Sequence, residues 1–257
     1  MTAEEVVSAI AAGVSDALKA KRLLLGIEES TYRNADIHPE YVTTVKVAER
    51  LADWDREVVL EPLMRSIKHN ATGLARMRAA SNSAAWKSID QRALPYSFGK
   101  ERLDILVRDP DSQRPPILFA EAKLGVKNVG GVCDDVDRVM NLLAMHHALG
   151  LFEGKHPYGA VLFHVMKENA APADLAKIAE PLIAAVDGLL NSWKIKYPWL
   201  EFQSGLLSRA QVTEPVAGYE ERYPDGTSEL VFAKASFSFS PGLILFGQDK
   251  IIPTIAF

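Results

Sequence analysis

Two short apolar runs that carry charge at strand spacing constrain this chain more than any other feature. Leu103–Arg108 (LDILVR) and Ile117–Lys123 (ILFAEAK) are separated by Asp109-Pro110-Asp111 and Pro115-Pro116, residues that build turns. The pattern predicts a β-hairpin with a moderately long loop. A strand period of two puts Glu121 and Lys123 on one face of the second strand and Ala122 on the other. With the turn centred near Asp111–Gln113, Asp104 falls opposite Glu121, and cross-strand partners point to the same face. The apolar neighbours Leu103, Ile105, Val107, Leu118, Ala120 and Ala122 are left for the core.

Two carboxylates side by side repel by about 1 kcal/mol at 4 Å in water, and by several times that near a low-dielectric wall. Lys123 offsets part of this, and a divalent cation offsets more. Mg²⁺ takes hard oxygen ligands in an octahedron and keeps several waters. Asp104, Glu121 and the backbone carbonyl of Ala122 would hold Mg²⁺ with room for water and a phosphate oxygen. Such a metal polarises a phosphate and acidifies a bound water. Lys123 is placed to orient that water or to stabilise charge on phosphorus.

The flanking sequence frames the hairpin. Val6, Ile10, Val14 and Leu18 predict a helix over residues 3–21, followed by a polar loop from Gly26 to Pro39. Val47, Leu51, Trp54 and Val58 predict a helix from about Glu40 towards Leu60, restarted after Pro62. Residues 70–97 read as loop with helical pieces. Gly130-Gly131 precede a helix over about 133–149, with Asp134, Asp135, Asp137 and Arg138 read as helix-capping and surface-pairing residues ahead of the alternative that they touch substrate or metal. Gly159–Val165 reads as a buried strand, and 171–196 as a helix interrupted near Pro181. From about 200 to 257 the pattern is β-rich, with a turn at Tyr223-Pro224-Asp225-Gly226 and alternation over Ser236–Phe239. His146 and His147 are adjacent on a helix and make a poor metal pair.

Asp104, a gap, then Glu121-Ala122-Lys123 resembles the core motif of the PD-(D/E)XK superfamily, the restriction-endonuclease-like nucleases. Arg102-Leu103-Asp104-Ile105 and Phe119-Ala120-Glu121-Ala122-Lys123 carry the likeness, which spans about residues 40–167. Leu103 stands where the family has proline. The resemblance implies an α/β fold with a restriction-endonuclease-like mixed β-sheet flanked by helices, here with a C-terminal β-rich extension. It implies Mg²⁺- or Mn²⁺-dependent cleavage of nucleic-acid phosphodiester bonds, with Asp104, Glu121 and Lys123 catalytic. It also implies a further acid from the preceding helix, for which Glu49 and Glu57 are the candidates. By the same analogy the expected substrate is DNA before RNA, and the expected setting is restriction or phage defence. The alternatives are a catalytically inactive binding or regulatory protein on the same fold, and a surface salt-bridge cluster on an unrelated α/β domain, in which Asp104 and Glu121 would diverge.

Length and composition agree with one globular domain over 1–257. With 48% hydrophobic and 24% charged residues the chain is not disordered. A single cysteine, Cys133, excludes an internal disulfide and suits a cytoplasmic setting. Glu4 and Glu5 stand where a signal peptide would be basic, and no apolar run predicts a membrane span. A homodimer is compatible with these properties. The net charge of −4 disfavours nucleic acid, but eight basic residues against two acidic ones between Arg65 and Arg102 give that stretch +6. Arg92, Lys100 and Arg102 are its candidate phosphate contacts.

Overall fold

The computed structural model of the chain describes residues 1–31, 39–52, 56–79, 83–111, 113–126, 128–154, 157–168, 172–207, 211–212, 219–231 and 237–248. Helix α1 (Ala3–Thr31) starts on a capping box. The Thr2 hydroxyl accepts the Glu5 N–H at 3.2 Å, and the Glu5 carboxylate accepts the Thr2 N–H at 2.6 Å. The helix runs past residue 21 to Thr31, which corrects the first part of the Gly26–Pro39 loop. Leu23, Leu24, Leu25, Glu28 and Glu29 are good helix formers and extend it. The rest of that loop, residues 32–38, lies outside the described residues.

Helix α2 (Pro39–Ala52) opens on proline, whose missing N–H costs nothing at a first helical position. It stops before the expected Leu60. Glu57–Leu60 instead forms strand β1, antiparallel to β2 (Ile105–Arg108), with Glu57 opposite Arg108 and Leu60 opposite Ile105. The β-branched pair Val58-Val59 suits a strand, and the open edge of β2 supplies the partner that overrides the helical spacing. Trp54, from the expected stripe, lies outside the described residues. Between β1 and β2 the chain forms α3 (Met64–Arg78) and α4 (Ser83–Ala93), more helix than the loop expected there.

Strand β3 (Leu118–Lys123) pairs antiparallel with β2, with Ile105 opposite Ala120. Helix α5 (Gly130–Ala148) then crosses over to β4 (Tyr158–Glu168), which lies parallel to β3 with Glu121 opposite Val161. Gly150, at φ +70°, ends α5. Its N–H bonds the His147 carbonyl and that of Leu151 bonds His146, a Schellman closure. Helix α6 (Pro172–Lys196) continues through Pro181 without the expected interruption. The lost backbone bond is outweighed by burial of Leu175, Ala179, Leu182, Val186 and Leu190.

The C-terminal region extends the sheet. Strands β5 (Glu201–Leu206), β6 (Gln211–Val212) and β9 (Phe237–Gly247) join it, while β7 (Tyr219–Arg222) and β8 (Ser228–Val231) form a hairpin on the expected turn. The main order is β1-β2-β3-β4-β9-β5, with β6 also on β9. The architecture is thus a mixed α/β sheet flanked by helices. One face carries Ile105, Val107, Leu118, Ala120, Leu162 and Leu245 against α1 and α2. The other carries Leu106, Phe119, Val161, Phe163 and Ile244 against α3 to α6. Among the described residues no helix is long and apolar enough to cross a membrane.

Candidate active site

The antiparallel ladder between β2 and β3 ends at Ile105 and Ala120. One residue further, where the same register sets Asp104 opposite Glu121, a side chain takes over from the backbone. Asp104 Oδ2 accepts the Ala122 N–H at 2.7 Å. The N–H and carbonyl of one strand residue point to the same side, so the Ala122 carbonyl also faces the Asp104 side. Asp104 is held from behind by Glu61, whose N–H donates to the Asp104 carbonyl at 3.0 Å. Glu61 has φ +50°, in the left-handed region that costs a non-glycine residue about 1–2 kcal/mol. Backbone strain of this kind persists only where the surroundings over-determine it.

Glu121 shares the face of Phe119 and is 2% exposed. Burial drives its carboxyl up to about 9, against the hydrogen bond from Arg138. The charge of Asp104 beside it raises it further. The two carboxyls of the hairpin therefore converge. Lys123 follows on the same face, half-buried, and makes no ion pair or hydrogen bond through its side chain among the described residues.

Three residues complete the cluster: Glu40, which the sequence did not mark, and Asp135 and Arg138, for which helix capping and surface pairing were the preferred expectation. Glu40, in the first turn of α2, accepts the Leu124 N–H through Oε2 at 3.2 Å. Arg138 on α5 donates from Nε to Glu121 Oε1 at 2.7 Å and from Nη2 to Asp135 Oδ1. Asp135 is buried, which raises its pKa; Arg138 and Lys123 lower it, while Asp104 and Glu40 raise it. A usable signal was the buried stripe Asp135, Val139, Leu142, His146, at helical spacing, on which an acid is out of place. For Glu40 the signal was its position just after a helix-initiating proline.

The other candidates lie elsewhere. Glu49 pairs with Lys46 on the exposed side of α2. Glu57 is on a strand, not a helix, and pairs with Arg108. Arg92 donates from Nη1 to the Ala148 carbonyl at 3.0 Å, at the end of α5 remote from Arg138. Arg102 is beside the site, with Nη1 on the Glu61 carbonyl at 2.6 Å. Lys100 and Arg65 are exposed and flank the bond from the Met64 N–H to the Glu101 carbonyl, 3.0 Å long. Elsewhere in the basic stretch, Arg76 pairs with Asp90, Arg78 with Glu153, and Lys68 with the Tyr96 carbonyl. His146 and His147 diverge: His146 is buried with Nδ1 on the Leu142 carbonyl at 2.8 Å, and His147 stacks on Trp199.

Among the described residues no three His, Cys, Asp or Glu side chains form a ready cation cage. What Asp104, Glu121 and the Ala122 carbonyl offer is a smaller set of hard oxygens, converging and partly buried. That donor set fits Mg²⁺ or Mn²⁺, which take one or two carboxylates and fill the remaining positions with water and substrate. No family model, curated protein or solved structure matches this chain.

Proposed function

We propose that this protein is a metal-dependent nuclease of the restriction-endonuclease-like type, acting on DNA. One observation carries the reading: the hairpin register that seats Asp104 on the Ala122 amide, next to Glu121 and on the face shared by Lys123. The element order supports it. Helix α2, antiparallel strands β1, β2 and β3, crossover helix α5 and parallel strand β4 follow the helix, three strands, helix, strand of that core, with α3 and α4 inserted.

Asp104, Glu121 and the Ala122 carbonyl would hold Mg²⁺ or Mn²⁺. The bound cation supplies Lewis-acid polarisation of a phosphate oxygen and a more acidic water. Lys123, unpaired among the described residues, orients that water and offsets negative charge on phosphorus. Glu40 is the additional acid from the preceding helix, in place of Glu49 or Glu57. Arg65, Lys100 and Arg102 guide the phosphate backbone towards Asp104. A role in restriction or phage defence follows from the nuclease type by analogy.

The test is incubation with plasmid, linear and single-stranded DNA and with RNA, in Mg²⁺, Mn²⁺ or EDTA. Cleavage of DNA that EDTA abolishes is the expected result; intact substrates under every cation would refute the activity. Arg138 favours a second reading, because its charge already serves Glu121. A nucleic-acid-binding or regulatory protein on the same fold would retain DNA in a gel-shift assay and cut nothing.

A further inference from the structure

Helix α5 brings to the site a charge that the hairpin does not require. Arg138 lies one turn after Asp135, and its guanidinium is divided between two acids, Nε to Glu121 and Nη2 to Asp135. The two acid side chains are 2% and 5% exposed, whereas Arg138 keeps 31%. A guanidinium carries donors on three nitrogens in a fixed plane. Nη1 has no protein partner among the described residues and is not among the buried atoms left unsatisfied, so it reaches solvent. One edge of the group therefore holds two buried acids while another stays open.

The acid that Arg138 grips is also the one the hairpin offers to a divalent cation. Arg138 and a divalent cation compete for the oxygens of one acid, and whichever holds Glu121 weakens the hold of the other. An arginine released from a carboxylate keeps a planar fork that matches phosphate with two parallel hydrogen bonds. We infer that Arg138 is the resident counter-ion of this site and its phosphate receptor. It holds Glu121 and Asp135 until a divalent cation engages Asp104 and Glu121, and then turns its guanidinium to a phosphate oxygen of the substrate. The inference rests on the proposed nuclease reading and adds a competition that the reading alone does not contain.

The experiment compares wild type, Arg138→Met and Arg138→Lys in two binding assays. Mn²⁺ affinity is measured by calorimetry. Affinity for a fluorescein-labelled DNA duplex is measured by anisotropy in Ca²⁺, to slow cleavage. Removing the competing charge makes Arg138→Met bind Mn²⁺ about tenfold more tightly, and losing the fork makes it bind the duplex about tenfold more weakly. A merely structural arginine would move both affinities downward. Arg138→Lys keeps the charge, so its Mn²⁺ affinity stays near wild type while duplex affinity falls. Unchanged or weaker Mn²⁺ binding by Arg138→Met overturns the inference and leaves the nuclease reading standing. If Arg138→Met does not fold, duplex affinity of Arg138→Lys equal to wild type overturns it instead. Wild-type protein that binds no Mn²⁺ at millimolar concentration removes the nuclease reading, and the inference with it.

Discussion

Asp104 has two duties that substitution can separate. Its Oδ2 closes the end of the sheet on the Ala122 amide, and its charge faces Glu121. Asparagine keeps an acceptor for the amide and loses the charge, so Asp104→Asn should melt within a few degrees of wild type yet lose Mg²⁺-dependent cleavage. Asp104→Ala should lose cleavage as well, and about 1–3 kcal/mol of stability if the amide is left unsatisfied. Lys123→Ala should abolish cleavage with little change in melting, since among the described residues Lys123 makes no hydrogen bond or close ion pair and acts on Asp135 only through its charge. Full activity in Asp104→Asn and Lys123→Ala would contradict their assigned roles. These residues were legible because strand period and turn chemistry are local rules, enough to pair Asp104 with Glu121. Arg138 was not legible: an aspartate and an arginine three apart on a helix read as a surface pair. What sets this pair apart is Glu121, seventeen positions away on another element.

Among the elements, α1 and α2 show how a small residue sets the position of a functional one. A side chain on Gly13 would stand 2.5 Å from Val47 Cα, so glycine permits the close approach of the two helices. Helix α2 carries Glu40 to the Leu124 amide. Gly13→Ala must push backbone, not a flexible side chain, and should cost about 1–3 kcal/mol, visible as a lower midpoint in thermal denaturation. A midpoint equal to wild type would show that the helices separate freely. The elements also mark where periodicity misleads. Val58 continued the stripe of Val47 and Leu51, so β1 was hidden inside a helical pattern, and only the open edge of β2 reveals it. Helices α3 and α4 were hidden for a different reason: α3 buries Met64, Ile67, Ala71, Leu74 and Ala75 at helical spacing, but small residues set among basic ones blur the apolar stripe.

For the whole molecule, two buried groups set opposing pH dependences. Glu121 is raised from 4.5 to about 9. Between those values the folded chain keeps a proton that the unfolded chain releases, so stability falls as pH rises through this window. His146 is lowered by burial from 6.5 to about 4. It must charge on unfolding, so its contribution is present above pH 6.5 and fades towards pH 4. The two oppose each other between 4.5 and 6.5, and above 6.5 only the loss from Glu121 remains. Thermal midpoints in EDTA should therefore change little over pH 4.5–6.5 and decline towards pH 9. Glu121→Gln, which still accepts from Arg138, should flatten that alkaline decline. An equal decline in both proteins would place its origin elsewhere.

Of the described strands, the last along the chain enters the interior of the sheet. Strand β9 enters between β4 and β5, and its Leu243, Ile244, Leu245 and Phe246 are fully buried there. During synthesis every residue of the site leaves the ribosome while the outer edge of β4 is still bare, an edge inviting intermolecular pairing. Joining β5 and β6 to the sheet thus waits for β9. A chain stopped before Phe237 would contain the whole cluster and remain sticky, which sedimentation of the truncated product beside the full one would measure.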